Sequence, residues 1–486
     1  MDTDTTNQTG RQSQVRIHLS SRDPDVALPE SPTILVPTGN VVPAFVNRNP
    51  TDDVIDLGRR GLSEIVNELL KRERIPFEFH INGTGSFLNT SIDEFLTANG
   101  ISAETILDVE YIRALIPPVY IGSFEHDDWV SGVDILQGMP SGQERMVTAS
   151  YDGFIRVWNM SSEVLATSSA TGSAYMSSMT SAKFVTPDLV ASGSLDRTLR
   201  LWKYLDAKPG DSTPASLTPK LVLYGHKESI DHIAIHRASH RMLSASADHS
   251  VGLWSTRKSD APPAPTARLF SNSRTISKKQ KTGANVPHCG PLALLESHTQ
   301  QVTSTIFASN DATVGYSVSL DHTLKTWDLE TTSLVNTRTL SHSLLSMEAL
   351  PSLSLLAAGS MEQIITLIDP RASAQKVAAM TLKGHLNAVK ALARDPHSEY
   401  GLVSGSYDGT CRIWDTRSTK TSLEGVISEN IYTIPRQRQK EQKPKRDGDG
   451  VKVFDVYWDA NIGIISAGED KMVQINKGQE FLSKAN

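Results

Sequence analysis

Cysteine is almost missing from this 486-residue chain: Cys289 and Cys411 are the only two, far apart in sequence. Two distant thiols make neither a disulfide framework nor a Cys-rich metal site, so both are expected to be free. Long apolar runs are missing too. No stretch of about 18 apolar residues is available to span a bilayer, which predicts a soluble protein without a membrane partner. Residues Met1 to Ser13 are polar after the methionine and lack the basic-then-apolar order of a secretory signal, so cytosol or nucleus is the expected compartment. There is no excess of positive charge either. A net charge of −6 excludes a uniformly basic, sequence-blind nucleic-acid binder and leaves only local basic patches for any RNA contact. Phosphate loops of the GxxxxGK(S/T) type, HExxH and clustered metal ligands do not occur, and neither a catalyst nor a cofactor is expected.

What is present is a repeat. The length exceeds the roughly 250 to 300 residues at which a single core stops growing, so several units or an array are required. One phrase recurs: a hydroxyl-rich strand, a turn carrying Asp, then Trp six residues after the Asp. Its copies are Ser150-Tyr151-Asp152 to Trp158, Ser194-Leu195-Asp196 to Trp202, Ser246-Ala247-Asp248 to Trp254, Ser319-Leu320-Asp321 to Trp327 and Ser406-Tyr407-Asp408 to Trp414. Two degenerate copies keep the frame, Ser360-Met361-Glu362 with Ile368 and Gly468-Glu469-Asp470 with Asn476, which makes seven units. A His precedes most of them: His126, His226, His298, His342 and His385; the second and seventh units show no clear one. Thr148, Ser192, Ser244, Ser317, Ser404 and Ser466 stand four residues before the acid.

Each unit reads as four short strands, the composition of a propeller blade. The pattern resembles the WD-repeat family over residues 119 to 478. The predicted fold class is therefore mainly β, a seven-bladed WD-repeat propeller preceded by a small α+β domain. An indole N–H, a hydroxyl, an imidazole and a carboxylate can satisfy one another when buried, so the tetrads His126/Asp152/Trp158, Asp196/Trp202, His226/Asp248/Trp254, His298/Asp321/Trp327 and His385/Asp408/Trp414 are expected to be structural. A hydrolase triad is one constellation in one cleft, whereas this set recurs around a ring. Units five and seven, without Trp, are expected to lose part of the network. Val119 to Phe124 has no blade of its own and is expected to close the ring on the seventh.

Residues 14 to 116 lack the repeat. Val15, Ile17 and Leu19 alternate as a strand with Ile34 to Val36 as hairpin partner; Leu62, Ile65, Val66, Leu69 and Leu70 fall at helix spacing; Phe77, Phe79 and Ile81, then Leu107, Val109 and Tyr111, alternate again. That order is a ubiquitin-like β-grasp. Its last strand continues through Pro117 and Pro118 with no free Gly-Gly tail, which excludes a conjugated modifier. Residues 1–13 and 479–486 are expected tails, and residues 206–219, 258–291 and 435–449 insertions, the first a neutral spacer and the other two basic and mobile.

The pairing of the two domains resembles the WD-repeat ribosome-biogenesis proteins that join pescadillo and the block-of-proliferation protein in one complex. Gly61-Leu62-Ser63-Glu64-Ile65-Val66-Asn67, Asp108-Val109-Glu110-Tyr111, Ser150-Tyr151-Asp152-Gly153, Leu294-Leu295-Glu296-Ser297-His298 and Gly463-Ile464-Ile465-Ser466-Ala467-Gly468 carry the match, and Thr38 to Gly58 departs from it. The resemblance implies a non-catalytic scaffold on pre-60S ribosomal particles, supporting maturation of 5.8S and large-subunit rRNA in the nucleolus and nucleoplasm. It also implies that the ubiquitin-like domain of the NLE type docks the midasin AAA ATPase, with Glu104 entering the Mg²⁺ site of that partner; a solvated turn residue is the plainer reading. Asp93, Glu94 and Glu110 are weaker substitutes. Lys278, Lys279, Lys281, Arg436, Arg438, Lys445 and Arg446 are candidates for nuclear import or RNA phosphate contacts, or simply solvated side chains. The rival reading is a ubiquitin-pathway adaptor with the ring as substrate receptor.

Overall fold

The computed structural model describes residues 14–22, 26–28, 31–37, 59–71, 75–82, 86–88, 90–102, 104–114, 117–136, 144–168, 177–206, 214–264, 286–309, 311–372, 378–418, 420–422, 425–428, 430–438 and 450–478. The chain divides into two compact units, Met1–Ile116 with Arg417–Ser422, and Pro117–Thr416 with Leu423–Asn486.

In the first unit, β1 (Gln14–Ser20) buries Val15, Ile17 and Leu19 and turns Arg16 outward, the alternation that a strand imposes. It pairs antiparallel with β2 (Thr33–Pro37) and parallel with β5 (Ile106–Arg113). With β3 (Phe77–Ile81) and β4 (Ser86–Phe87) the sheet order is β2-β1-β5-β3-β4, the order of a β-grasp. Helix α1 (Arg59–Leu70) contributes Leu62, Val66 and the half-buried Ile65 to the same core as Phe77, Phe79 and Tyr111. Tyr111 ties down the crossing loop: its hydroxyl donates to Val26 O (2.9 Å) and accepts from Leu28 N (3.0 Å). Helix α2 (Ile92–Asn99) starts where Ser91 Oγ accepts from Glu94 N and stops at Gly100, whose φ of 63° only glycine adopts without strain. Asp93 and Glu94 fall in its first turn, beside the positive end of the helix.

Among the described residues the second unit holds seven sheets, each with four antiparallel blade strands, whose inner strands are Val130–Ile135, Met179–Thr186, Ile230–His236, Val302–Ala308, Leu344–Leu350, Val389–Arg394 and Val453–Asp459, blades 1 to 7. Each inner strand packs on the next, and the last returns to the first. Closure is by β6 (Val119–Glu125), which pairs with Met472–Lys477 as the outer strand of blade 7.

The insertions differ from expectation at their edges. Ser216 already begins the outer strand of blade 2, Ser216–Tyr224, which runs into what the sequence suggests is a spacer. Part of 258–291 is ordered as well: His288–Cys289 lies parallel to that same outer strand and Pro263 bridges to Cys289. Gly425–Ser428 does the same for blade 5, parallel to Met380–Lys383. An outer strand exposes a row of unpaired N–H and C=O groups, and a local segment that pairs with them removes the defect. Both cysteines are free and buried. Lys278, Lys279, Lys281, Lys445 and Arg446 lie outside the described residues.

Candidate functional site

The repeated polar set is built from local turn chemistry. In the five Trp-bearing blades the acid's own N–H donates to the Ser two residues before it, at 3.1–3.3 Å for Asp152, Asp196, Asp248, Asp321 and Asp408. The residue after the acid is left-handed in all seven blades: Gly153, Arg197, His249, His322, Gln363, Gly409 and Lys471, with φ between 65° and 87°. That backbone turns the carboxylate back toward the outer-strand loop that brings in the His.

Blades 3, 4 and 6 carry the complete tetrad. Trp254 Nε1 donates to Ser244 Oγ (2.8 Å), which lies 2.7 Å from His226 Nε2, while His226 Nδ1 is 3.0 Å from Asp248 Oδ2. The corresponding distances are 2.7, 2.8 and 2.9 Å for Trp327, Ser317, His298 and Asp321, and 2.8, 2.6 and 2.8 Å for Trp414, Ser404, His385 and Asp408. Because a carboxylate only accepts, we assign the proton to Nδ1, leaving Nε2 to accept from the hydroxyl. Burial pushes Asp321 and Asp408 up, but hydrogen bonds, including those from their imidazoles, outweigh it and hold both at about 2. Burial also lowers His298 and His385 and keeps them neutral, as the chain of single protons requires.

Blades 1 and 2 are wired differently from the expected tetrads. His126 Nε2 meets Thr148 Oγ1 (2.8 Å), which accepts from Trp158 Nε1 (2.9 Å), but Nδ1 faces Phe124 O (3.3 Å) and not Asp152. Arg156 takes the carboxylate of Asp152 at 2.6 Å and bonds Asp127 at 2.8 Å. A charge-assisted guanidinium bond outcompetes a neutral imidazole, and burial together with Arg156 pushes His126 down to about 4. In blade 2, Trp202 keeps Ser192 (2.9 Å) and Asp196 pairs with Arg200 at 2.5 Å.

Blade 7 overturns two expectations. Arg436, a candidate RNA contact, is 1% exposed and sits inside the blade. It donates to Ser466 Oγ (2.8 Å), Ser466 O (2.7 Å), Met472 O (2.7 Å) and Asp470 Oδ2 (3.1 Å), and also to Asp470 Oδ1. It directly follows the outer strand Tyr432–Pro435, just as His126 follows Val119–Glu125. A guanidinium therefore does the work of the missing His, and the seventh blade keeps a network. Arg438 is exposed, and its Nη1 donates to Asp470 O (3.0 Å). In blade 5 only the His–acid part of the network remains. Ala358 replaces the hydroxyl and packs with Ile368 in an apolar cluster, while His342 lies 2.5 Å from Glu362.

Inside the ring lies a cavity of about 1130 Å³ whose walls include Lys183, Asp231, His232, Glu348, Lys390 and Asp455. An enzyme would need free titratable groups here. Lys183 Nζ instead donates to Val133 O (3.2 Å) and lies 3.9 Å from Asp455; His232 Nδ1 accepts from Thr305 N (3.4 Å). Burial, with Lys183 and Lys390, pushes His232 down to about 3, and burial pushes Glu348 up to about 7. His236 in the same wall is bonded to the Ser239 hydroxyl at 2.8 Å.

In the first unit, Glu104 occupies the Ser102–Thr105 turn, closed by Thr105 N (3.1 Å) and Thr105 Oγ1 (2.6 Å) donating to Ser102 O. Its side chain is exposed and has no hydrogen bond or ion pair among the described residues. Glu110, by contrast, is 3% exposed and pairs with Arg22 at 3.3 Å, which removes it as a handle. Among the described residues no group of three or more His, Cys, Asp or Glu could hold a metal ion.

Comparison with known proteins places both units. The NLE (NUC135) domain matches residues 15–96, and the WD domain, G-beta repeat, matches 119–159, 179–203, 217–255, 289–328 and 377–415. The chain is 55% identical to the ribosome biogenesis protein YTM1 of Ajellomyces capsulatus over 99% of its own length and 97% of that protein. It is 55% identical to the Aspergillus clavatus protein of the same name (97% and 96%) and 54% identical to that of Emericella nidulans (98% and 97%). A crystal structure of the WD40 β-propeller domain of Doa1 superposes with a TM-score of 0.51 at 17% identity, covering 74% of this chain and 96% of that one, a likeness of fold.

Proposed function

The chain belongs to the YTM1 family of ribosome-biogenesis proteins, and on that premise we propose that it is a non-catalytic scaffold with two separate jobs. The propeller holds a block-of-proliferation-type WD-repeat protein and, through it, pescadillo, on pre-60S particles during maturation of 5.8S and large-subunit rRNA. The β-grasp unit is the handle by which the midasin ATPase removes the complex. The work takes place in the nucleolus and nucleoplasm.

The observation that carries this reading is Glu104: an exposed carboxylate with no partner among the described residues, on a turn closed by its own hydrogen bonds. An Mg²⁺ ion takes oxygen ligands in near-octahedral geometry, and a partner's carboxylate can fill one position only if nothing else engages it. With no metal cluster of its own among the described residues, the chain would supply this one ligand to a cation that the ATPase holds. Affinity purification of the full chain from nuclear extract tests the assignment. Recovery of pre-ribosomal RNA, pescadillo and a second propeller protein supports it; recovery of ligase or proteasome subunits instead establishes the ubiquitin-pathway reading.

A further inference from the structure

In blades 1, 2, 4 and 6 the residue four after the acid is a long cation, Arg156, Arg200, Lys325 or Arg412, and the residue six after it is Trp. Blade 5 has Thr366 and Ile368 at those places, and a pocket of about 290 Å³ lies against Thr366. Its wall carries four hydroxyls, those of Thr339, Ser341, Thr366 and Thr381, together with His342 and Lys383, and no acid among the described residues. None of the four hydroxyls bonds to another described group, although Thr366 is only 7% exposed. His342 Nδ1 lies 2.5 Å from Glu362 Oε2 of the exposed turn, and the other ring nitrogen makes no bond among the described residues.

A second observation comes from Arg338, which directly precedes the wall residues Thr339 and Leu340. It is 3% exposed. Its Nη2 donates to Pro370 O (2.7 Å) and Ala372 O (2.6 Å), yet Nε and Nη1 have no partner among the described residues, and no described carboxylate pairs with it. A buried guanidinium needs a counter-charge, as Arg436 has in Asp470.

We propose that this pocket of blade 5 binds the phosphorylated serine or threonine side chain of a partner protein. A wall of hydroxyls and cations without an acid calls for a ligand that only accepts hydrogen bonds and carries negative charge. A phosphomonoester brings a charge near −2 and three strong acceptor oxygens, more than a carboxylate offers. Lys383 in the wall and Arg338 beside it supply the opposite charge, and Leu340, Ile364 and Ile427 offer apolar surface to the ester carbons. The wall holds no Phe, Tyr or Trp on which a base could stack, and an RNA backbone phosphate carries chain on both sides. A side-chain phosphate enters with one connection.

Phosphorus NMR titration of the full-length protein with N-acetyl-O-phosphothreonine methylamide, inorganic phosphate and oligouridylate tests the proposal. The phosphothreonine compound is expected to bind the parent more tightly than inorganic phosphate does. Thr366→Leu, which fills the pocket without removing a bonded group, and Lys383→Gln should each weaken it roughly tenfold or more. Arg338→Met should do the same while its urea midpoint is equal to the parent's or higher, because an unpaired buried charge is removed. If that variant fails to fold, the other two decide. Phosphothreonine affinity unchanged in both Thr366→Leu and Lys383→Gln overturns the proposal, as does inorganic phosphate binding the more tightly. Oligouridylate that binds and is lost in the same variants, with no binding of the phosphothreonine compound, makes RNA the occupant and also overturns it. None of these outcomes bears on Glu104, so the handle stands or falls separately.

Discussion

Blades 5 and 7 both lack the tryptophan of their five companions, and they solve the loss in opposite ways. Blade 5 drops the buried half of the polar set: Ala358 stands for the hydroxyl, Ile368 for the indole, the two pack in one apolar cluster, and only the His342–Glu362 pair remains, with its acid exposed. Blade 7 keeps the acid and the hydroxyl and rebuilds the rest around Arg436, with Gln474 Nε2 donating to Asn476 Oδ1 at 2.7 Å in the position of the indole. The difference follows from the asymmetry of buried polar groups. Removing every partner together is nearly neutral, whereas removing one leaves the others unsatisfied. Blade 7 retained a buried Asp470 and so needs a buried cation; blade 5 moved its acid, Glu362, to the surface and needs none.

Breaking that comparison should therefore be most costly in blade 7. Arg436→Met leaves Asp470 buried without its cation and is expected to lower stability by about 3 to 5 kcal/mol, read as a lower urea midpoint. Adding Asp470→Leu should recover more than half of the loss, because the blade then approaches the apolar solution of blade 5. Next comes Ser404→Ala in blade 6, which deprives both the Trp414 indole and the His385 imidazole of their shared oxygen. A loss of about 2 to 3 kcal/mol is expected, while removing a hydroxyl from blade 5 at Thr366 should cost far less.

The third effect depends on pH. His126 is held at about 4 in the folded protein, below its usual 6.5. Between those values the unfolded chain binds the proton and the folded one does not, so stability is full above pH 6.5 and falls as pH drops toward 4. From pH 6.5 to 5 this amounts to about 2 kcal/mol, measured as the difference in pH dependence between the parent and His126→Gln. The subtraction is needed because Glu348, raised to about 7, acts in the other direction and loses stability as pH rises from its usual range. The smallest effect is a gain. Gln363, the left-handed residue of blade 5, is a non-glycine at φ 72°, and Gln363→Gly should stabilise by roughly 0.5 kcal/mol in thermal unfolding.

These blades also mark how much of the molecule can be read before any coordinates. The Asp-to-Trp spacing predicts seven sheets because each blade repeats one turn, and the β-grasp order follows from the change between period-2 and period-3.6 patterns. Arg436 is hidden from such a reading because the repeat points to a His at that place, while a guanidinium does the same job with different atoms. Its signal is position: directly after an outer strand, where His126 also stands. The rewiring of blade 1 has no reliable signal. Arg156 and Arg412 both lie four residues after their Asp, yet Arg412 turns to Asn430 Oδ1 (2.9 Å) and leaves Asp408 to His385. Asn430 comes from a loop eighteen residues away, a contact that spacing does not encode. Glu104 is legible as an acid in a turn, but its lack of partners is a property of three dimensions.

The central claim is that platform and handle are independent, one locked by buried networks and the other an exposed acid. Titration calorimetry of full-length Glu104→Ala against the block-of-proliferation-type partner and against the magnesium-loaded midasin domain tests it most directly. An unchanged affinity for the first with loss of the second is the predicted result; equal weakening of both, or retention of both, contradicts the account.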